Sequence, residues 1–408
     1  MQIITLKEEE DLSLPRDAIE EDLILRLWRV YGERVKVEFP TPMTDFCYVL
    51  RSKGYVGQIP LSHDTVLRIL PKVPLNNIFG MLEYAYNLKS FHFLDGATNV
   101  ESLEDLFERL VSILAKKVLD RVRKGLYQGY VKQEECLRYQ RGRILVLPTL
   151  RSVQRGNPHL ECEYEEQTVD LIDNQILAWT LFQLPRFGLR REEVRRQVQQ
   201  AYRALAGTVT VNLVESRDCI LRFYHRLNDD YKPMHGLCRF FLEHSGPGQE
   251  MGSHEFIPFL VDMPRLFEAF IAQWLKINSP GGTYIKPQYD ANLDQNGTFS
   301  FRIDLVLNDS STDRVLAVMD TKYKREDKPI EEDIKDIVAY AVRMDTKNGF
   351  LIYPSTRTDQ VSLNVGNIEV KSLIFDLSRN PDEEGVAFLK KITDFLKLSL
   401  FKVPFFTN

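Results

Sequence analysis

A chain of 408 residues, 44% hydrophobic and 27% charged, has the composition of an ordinary soluble protein with two or three domains, each able to bury a core. No apolar run approaches the ~20 residues a membrane helix needs, and the start, Met1 to Glu10, lacks the basic head and apolar core of a signal peptide. The net charge of −5 argues against bulk coating of nucleic acid. Five scattered cysteines (Cys47, Cys136, Cys162, Cys219, Cys238), with no C-x-x-C pair, argue against zinc and a disulfide framework and for a reducing cytoplasm.

Residues 1–22 are polar and loosely patterned, and Leu23 to Val37 fits helix or strand equally. From Phe39 to Leu61 the pattern is β, with a turn at Ser52-Lys53-Gly54, and Thr65 to Leu70 is a further strand stopped by Pro71. Asn76-Asn77 are placed to cap a helix from Ile78 to about Leu88. The expectation is a β-rich domain over residues 1–100.

Residues 101–126 are the clearest helix, with Leu103, Leu106, Phe107, Leu110, Ile113, Leu114 and Val118 at helical spacing and Gly125 at the end. The stretch 109–155 holds 12 Lys/Arg against 3 Asp/Glu, a net of +9, and Arg138, Arg141 and Arg143 crowd around Gly142. Such a surface suits phosphates or an acidic partner; salt bridges to Glu161, Glu163, Glu165 and Glu166 account for it as well. Residues 170–206 predict two helices broken at Leu184 to Gly188, with Asn174 interrupting the first, and another helix runs from Gly236 to Glu243. The middle region, 101–245, is thus expected to be helical and basic. His244 to Ser253 is the best linker.

The third expected domain, 254–408, carries the chemistry. Phe299, Phe301, Ile303, Leu305 and Leu307 alternate with polar or opposite-facing residues, Asn308 to Asp313 is turn material, and Val315 to Met319 ends in Asp320-Thr321-Lys322. This is a β-hairpin whose second arm puts Asp320 and Lys322 on one face, beside Asp304 on the first arm. Before it, the helix Pro264 to Leu275 has Glu268 as its single acid, and a carboxylate among so many apolar groups needs a partner. Two carboxylates and an ammonium suit Mg²⁺-dependent phosphodiester hydrolysis, because Mg²⁺ takes one or two carboxylates and keeps several waters. In this reading Asp304 and Asp320 ligate the metal, Lys322 positions the attacking water or stabilises the transition state, and Glu268 is a further ligand or orders Lys322. A helix from Glu331 to Arg343 follows, and a last amphipathic helix covers 386–400. There is no P-loop, no G-x-S-x-G and no H-E-x-x-H, so this chain is not expected to bind GTP itself.

The ordered set of helix with Glu, strand with Asp, strand with D-x-K and then helix resembles the PD-(D/E)xK nuclease core. Arg302-Ile303 stands where the family name has Pro, and Asp336 stands where many members have Gln. The overall class expected is α+β: a β-rich domain, a helical middle and an α/β nuclease domain. Longer collinear stretches resemble one family. Tyr55-Val56-Gly57, Ile69 to Val73 and Met81 to Ala85 resemble the N-terminal half of McrC, the nuclease subunit of the McrBC modification-dependent restriction system. Gln128-Gly129-Tyr130, Arg141 to Ile144 and Asp173-Asn174 resemble its middle. Leu266-Phe267-Glu268, Pro287-Gln288, Asp304, Asp320-Thr321-Lys322-Tyr323-Lys324 and Leu351 to Pro354 resemble its nuclease half. The resemblance implies cleavage of methylcytosine-containing double-stranded DNA together with an McrB-like AAA+ GTPase ring, whose GTP hydrolysis the subunit stimulates. A partner that holds DNA is consistent with residues 264–354, which carry 12 Lys/Arg and 14 Asp/Glu, a net of −2. Two other readings stay open: a non-catalytic adaptor of a AAA+ GTPase, and the nuclease of another restriction or repair system.

Overall fold

The computed structural model describes residues 2–8, 10–62, 64–88, 102–220, 222–244, 249–251, 254–256, 258–292, 298–323, 331–354, 361–377 and 381–398. The chain is mixed α+β and divides into two compact units, one formed by 1–106 with 244–408 and the other by 107–243. Among the described residues no helix is long and apolar enough to cross a membrane. The expected first and third domains are therefore one body, for a reason visible in the sheet pairing below.

The first unit begins with two strands where the sequence is polar and loosely patterned, β1 (Gln2–Lys7) and β2 (Asp11–Leu14). Their polar residues are the exposed alternates; Ile4 and Leu6 of β1 are buried. The ambiguous stretch is both things in turn: α1 (Glu21–Tyr31), then β3 (Val35–Glu38). Next come β4 (Tyr48–Ser52), β5 (Tyr55–Pro60), β6 (Thr65–Leu70) and α2 (Leu75–Ala85). Helix α2 starts at Leu75, so Asn77 lies inside it and caps nothing; its side-chain amide instead donates to the Leu377 carbonyl. Ile24, Leu27 and Tyr31 of α1 pack on Ile4, Leu6, Leu50, Ile59, Leu67 and Ile69.

The second unit opens with α3 (Leu103–Lys124), whose first residues belong to the other unit. The expectation of a purely helical middle does not hold. The unit carries a three-stranded sheet, β7 (Gly129–Leu137), β8 (Arg143–Ile144) and β9 (Leu160–Thr168), in the order β7-β9-β8, with α4 (Val146–Gln154) between β8 and β9. Strand β7 escapes sequence recognition because it is polar on both faces, with no fully buried residue, and β8 is only two residues long; β9 does alternate, burying Cys162 and Tyr164. Gly142 takes φ +69°, and a Cβ there would strike the Glu163 carbonyl, so the turn before β8 requires glycine. Arg141 pairs at 3.1 Å with Glu166, one of the expected acidic partners, and lies over the Tyr164 ring. Three helices complete the unit, α5 (Ile172–Gln183), α6 (Glu192–Ala206) and α7 (Tyr231–Glu243), with Leu184–Phe187 as the break between the first two. Asn174 does not interrupt α5; it is a fully buried member of its first turn.

The chain then returns to the first unit. A short pair, β10 (Gln249–Met251) and β11 (His254–Phe256), occupies part of the expected linker, of which residues 245–248 and 252–253 lie outside the described residues. Strand β12 (Phe259–Asp262) pairs antiparallel with β5, completing a sheet β1-β6-β5-β12. Gly57 is the close point, at φ +134°, where any Cβ would meet the Phe259 carbonyl. This pairing joins residues some two hundred positions apart, so the N-terminal β region and the C-terminal region share one sheet.

From β12 the chain enters α8 (Met263–Asn278), capped by the Asp262 side chain accepting from the Arg265 amide at 3.0 Å, with Pro264 in the first turn. Then follow β13 (Thr283–Asn292), β14 (Ser300–Asp309), β15 (Val315–Thr321), α9 (Glu331–Arg343), β16 (Asn348–Tyr353), β17 (Ser362–Val365), β18 (Ile368–Ile374) and α10 (Pro381–Leu396). The strands form one sheet in the order β13-β14-β15-β16-β18-β17, antiparallel through β13-β14-β15 and parallel through β15-β16-β18. Leu351 and Tyr353 of β16 pack with Ile337 and Ala341 of α9. Phe350, on the opposite face, meets Phe395 of α10 with centroids 5.0 Å apart. Phe270 and Trp274 of α8 meet Phe375, and Trp274 also meets Phe388 of α10. With helices on both faces, β14 is buried continuously from Leu305 to Asn308 and does not alternate there.

Candidate active site

The predicted hairpin is β14-β15. Its ladder pairs Leu305 with Met319, and the next step along the two strands brings Asp304 beside Asp320. At this end β14 has left the covered part of the sheet, so Asp304 is only half-buried. Its Oδ2 accepts from the Thr321 amide at 2.8 Å and the Thr321 hydroxyl at 2.7 Å, which fixes the carboxylate through one oxygen. Asp320 and Lys322 share a face of β15, as the period of a strand requires. The Lys322 amide extends the ladder to the Ile352 carbonyl of β16 at 2.8 Å. Its Nζ lies 2.7 Å from Asp320 Oδ2 and 3.3 Å from Asp333 Oδ1.

Asp333 is the residue that sequence reasoning misses. It lies in the first turn of α9 and is 2% exposed. A signal is present: Asp333, Ile337 and Ala341 fall at i, i+4 and i+8, which places the acid on the buried face of the helix. Asp336 is on a neighbouring stripe of that helix. Its carboxylate, with burial and Asp320 ahead of it, raises the Tyr340 phenol.

Glu268 reaches the same end of the sheet from α8. It does not order Lys322, whose ammonium is held by the two aspartates; it accepts a hydrogen bond from Gln288 Nε2 at 3.1 Å. Gln288 Oε1 in turn accepts from Arg302 Nη2 at 2.8 Å. Lys324, the last residue of the resembling D-T-K-Y-K run, lies outside the described residues.

The electrostatics of the cluster are those of crowded anions. Burial and then the neighbouring Asp304 push Asp320 up, to about 7, against the pull of Lys322. Burial and Asp304 also raise Glu268. Burial opposes the Lys322 charge, but the attraction of Asp320 and Asp333 outweighs it and raises the lysine. Both groups are raised, which disfavours the charged form of Asp320 and favours that of Lys322. We take the ammonium as charged, because two carboxylates face it, and the carboxylates as the strained partners. A protonated Lys322 is a donor and a positive charge.

Hard carboxylate oxygens under mutual repulsion are the donor set that a divalent cation satisfies. Among the described residues no group of three or more His, Cys, Asp or Glu is arranged to close around a metal. Mg²⁺ does not need such a cage, since it holds most of its shell as water. Asp304, held through Oδ2 alone, and Asp320 fit that demand, with Glu268 nearby.

Residues 50–354 match the family model described as McrBC 5-methylcytosine restriction system component. The chain belongs to this family. A relative in it, the type IV methyl-directed restriction enzyme EcoKMcrBC of Escherichia coli K12, is 24% identical over 311 residues, covering 71% of this chain and 88% of that protein. Among solved structures, this McrBC-family chain is similar to one in the half-complex of Thermococcus gammatolerans McrB AAA+ hexamers with bound McrC. The TM-score is 0.57 at 18% identity, covering 97% of this chain and 100% of that one. At that identity the likeness is one of fold.

Proposed function

We propose that the chain is the Mg²⁺-dependent DNA endonuclease subunit of a McrBC-like restriction complex, with Asp304, Asp320, Lys322 and Glu268 as its working groups on a PD-(D/E)xK-type core. One observation carries the reading: Asp304 and Asp320 meet at one end of the hairpin with a lysine clamped between Asp320 and Asp333. Mg²⁺ bound at Asp304 and Asp320 would supply Lewis acidity and a more acidic water. The protein's own part is positional. Thr321 holds Asp304 in place, Asp333 keeps Lys322 charged and aimed, and Lys322 presents that charge to the phosphate as negative charge builds on it. The reading takes its substrate, methylcytosine-containing double-stranded DNA, from the family. Its motor is a McrB-like AAA+ GTPase ring, as in the Thermococcus assembly, whose GTP hydrolysis the chain stimulates in the cytoplasm.

The β-rich N-terminal part and the basic middle unit are the segments we assign to docking on that ring. The middle unit has the surface for it. Val146, Leu147, Leu150 and Val153 of α4 are all exposed, beside Arg151 and Arg155, and no residue of that helix is buried.

Cleavage of a methylated duplex by the assembled complex with GTP and Mg²⁺ tests the site. Asp304→Ala and Lys322→Ala are each expected to lower it on the order of 10³-fold while leaving binding to the ring intact. Full cleavage by both variants would refute the assignment.

A further inference from the structure

Lys322 is locked among acids, and Glu268, Asp304, Asp320 and Asp333 crowd the same place, so a DNA backbone arriving there meets net negative charge. A second cation stands at the rim. Arg302 is exposed and lies two residues before Asp304 on β14, on the same face and about 7 Å along the strand. Its cross-strand neighbour on β13 is Asp290, yet among the described residues no ion pair joins the two.

What Arg302 has instead is a brace. The Gln288 side chain bridges Glu268 and Arg302, at 3.1 Å and 2.8 Å. A carboxylate only accepts and a guanidinium only donates, so the amide has one orientation available. Gln288 sits opposite Asp304 on β13, between the Pro287–Leu305 and Tyr289–Ile303 pairs, and its backbone is at φ +46°. A non-glycine residue in that region is strained. Strained backbone that aims an amide at a half-buried acid and an exposed arginine is preorganisation. Among the described residues one guanidinium nitrogen is engaged, which leaves the others for a ligand.

We propose that Arg302 binds the DNA phosphate flanking the one that is cleaved, and that Gln288 is its positioning residue. The spacing favours the flanking phosphate, because Lys322 already serves the reacting one. The fork geometry of a guanidinium suits two phosphate oxygens at once. This rests on the nuclease reading of the site.

The test uses the full chain assembled with its GTPase partner and a duplex containing 5-methylcytosine, with Ca²⁺ in place of Mg²⁺ to prevent cutting. Affinity is measured across a salt series for wild type, Arg302→Ala, Arg302→Lys and Gln288→Ala. Arg302→Ala should weaken binding about tenfold at low salt, with the difference closing as salt rises, a change of about one in the log–log slope. Arg302→Lys should keep the slope and recover part of the affinity. Gln288→Ala should also keep the slope, since the charge remains, and in a parallel cleavage assay with Mg²⁺ should raise KM more than it lowers kcat. Wild-type binding with an indistinguishable Arg302→Ala would overturn this proposal alone. A wild-type complex that neither binds nor cuts the duplex would overturn the nuclease reading and this proposal with it.

Discussion

Each unit buries a polar cluster, and the two clusters are built on opposite principles. In the middle unit, Asn174 is fully buried and both ends of its side-chain amide are bonded. Its amide donates to the carbonyls of Tyr127 at 3.0 Å and Val169 at 2.6 Å, and its oxygen accepts from the Tyr231 hydroxyl at 2.7 Å. His235, one helical turn along α7 from Tyr231, contacts the Asp173 carbonyl through Nε2 at 2.9 Å and the Tyr224 hydroxyl through Nδ1 at 2.8 Å. A carbonyl only accepts, so Nε2 carries a proton, and the burial that disfavours a second proton leaves Nδ1 to accept from the Tyr224 hydroxyl. Burial holds its pKa down, to about 4. The cluster at Asp304, Asp320, Lys322 and Asp333 crowds acids around one ammonium and leaves carboxylates facing one another. A neutral, saturated network ties elements together, whereas a crowded anionic one is held in place by the rest of the fold and relieved only by something that binds.

That contrast can be broken by substitution. The largest effect is on the charged cluster. Asp320→Asn should lower cleavage on the order of 10³-fold yet leave the melting temperature of the chain unchanged or higher, because it removes a carboxylate facing Asp304. A large drop in melting temperature would mean that the acidic cluster is structural. In the middle unit the outcome reverses. Asn174→Ala strands two carbonyls and the Tyr231 hydroxyl, and should cost roughly 3 kcal/mol, read by denaturant unfolding. Binding to the ring would then fall only in proportion to the folded fraction.

The last probe is pH. His235 has its pKa lowered in the fold, so the neutral form is the stabilising one. That contribution is whole above the unfolded value near 6.5 and is lost as pH falls through about 4. The loss should approach about 3 kcal/mol, the size expected for a shift of this extent. His235→Gln should flatten the acid limb of the stability curve. An identical limb in the variant would assign the acid sensitivity elsewhere.

Half of the candidate site is legible in the amino-acid sequence. Asp304, Asp320 and Lys322 can be placed together because a strand has period two and the Asn308 to Asp313 turn sets the hairpin. Glu268 stands out as an acid out of place in an apolar helix, but its partner does not, since the contact to Gln288 crosses from α8 to β13, twenty residues on. Asp333 hides in a helix start rich in acids, Glu331-Glu332-Asp333, where acidic residues are ordinary. Strand β7 hides because it buries no residue fully on either face, which removes the alternation on which strand recognition depends, and in β9 that alternation is confined to Leu160, Cys162 and Tyr164.

By itself the sequence settled what depends on neighbours along the chain: the helical stripes of α3, α8 and α9, the hairpin, and the shared face of Asp320 and Lys322. Tertiary structure decided what joins distant segments. It paired β12 with β5, so that one unit is assembled from both ends of the chain, and it set Asp333 against Lys322 and Gln288 between Glu268 and Arg302. Local periodicity follows from backbone geometry alone, whereas long-range pairing follows from which apolar faces and which charges remain to be satisfied once the local elements have formed.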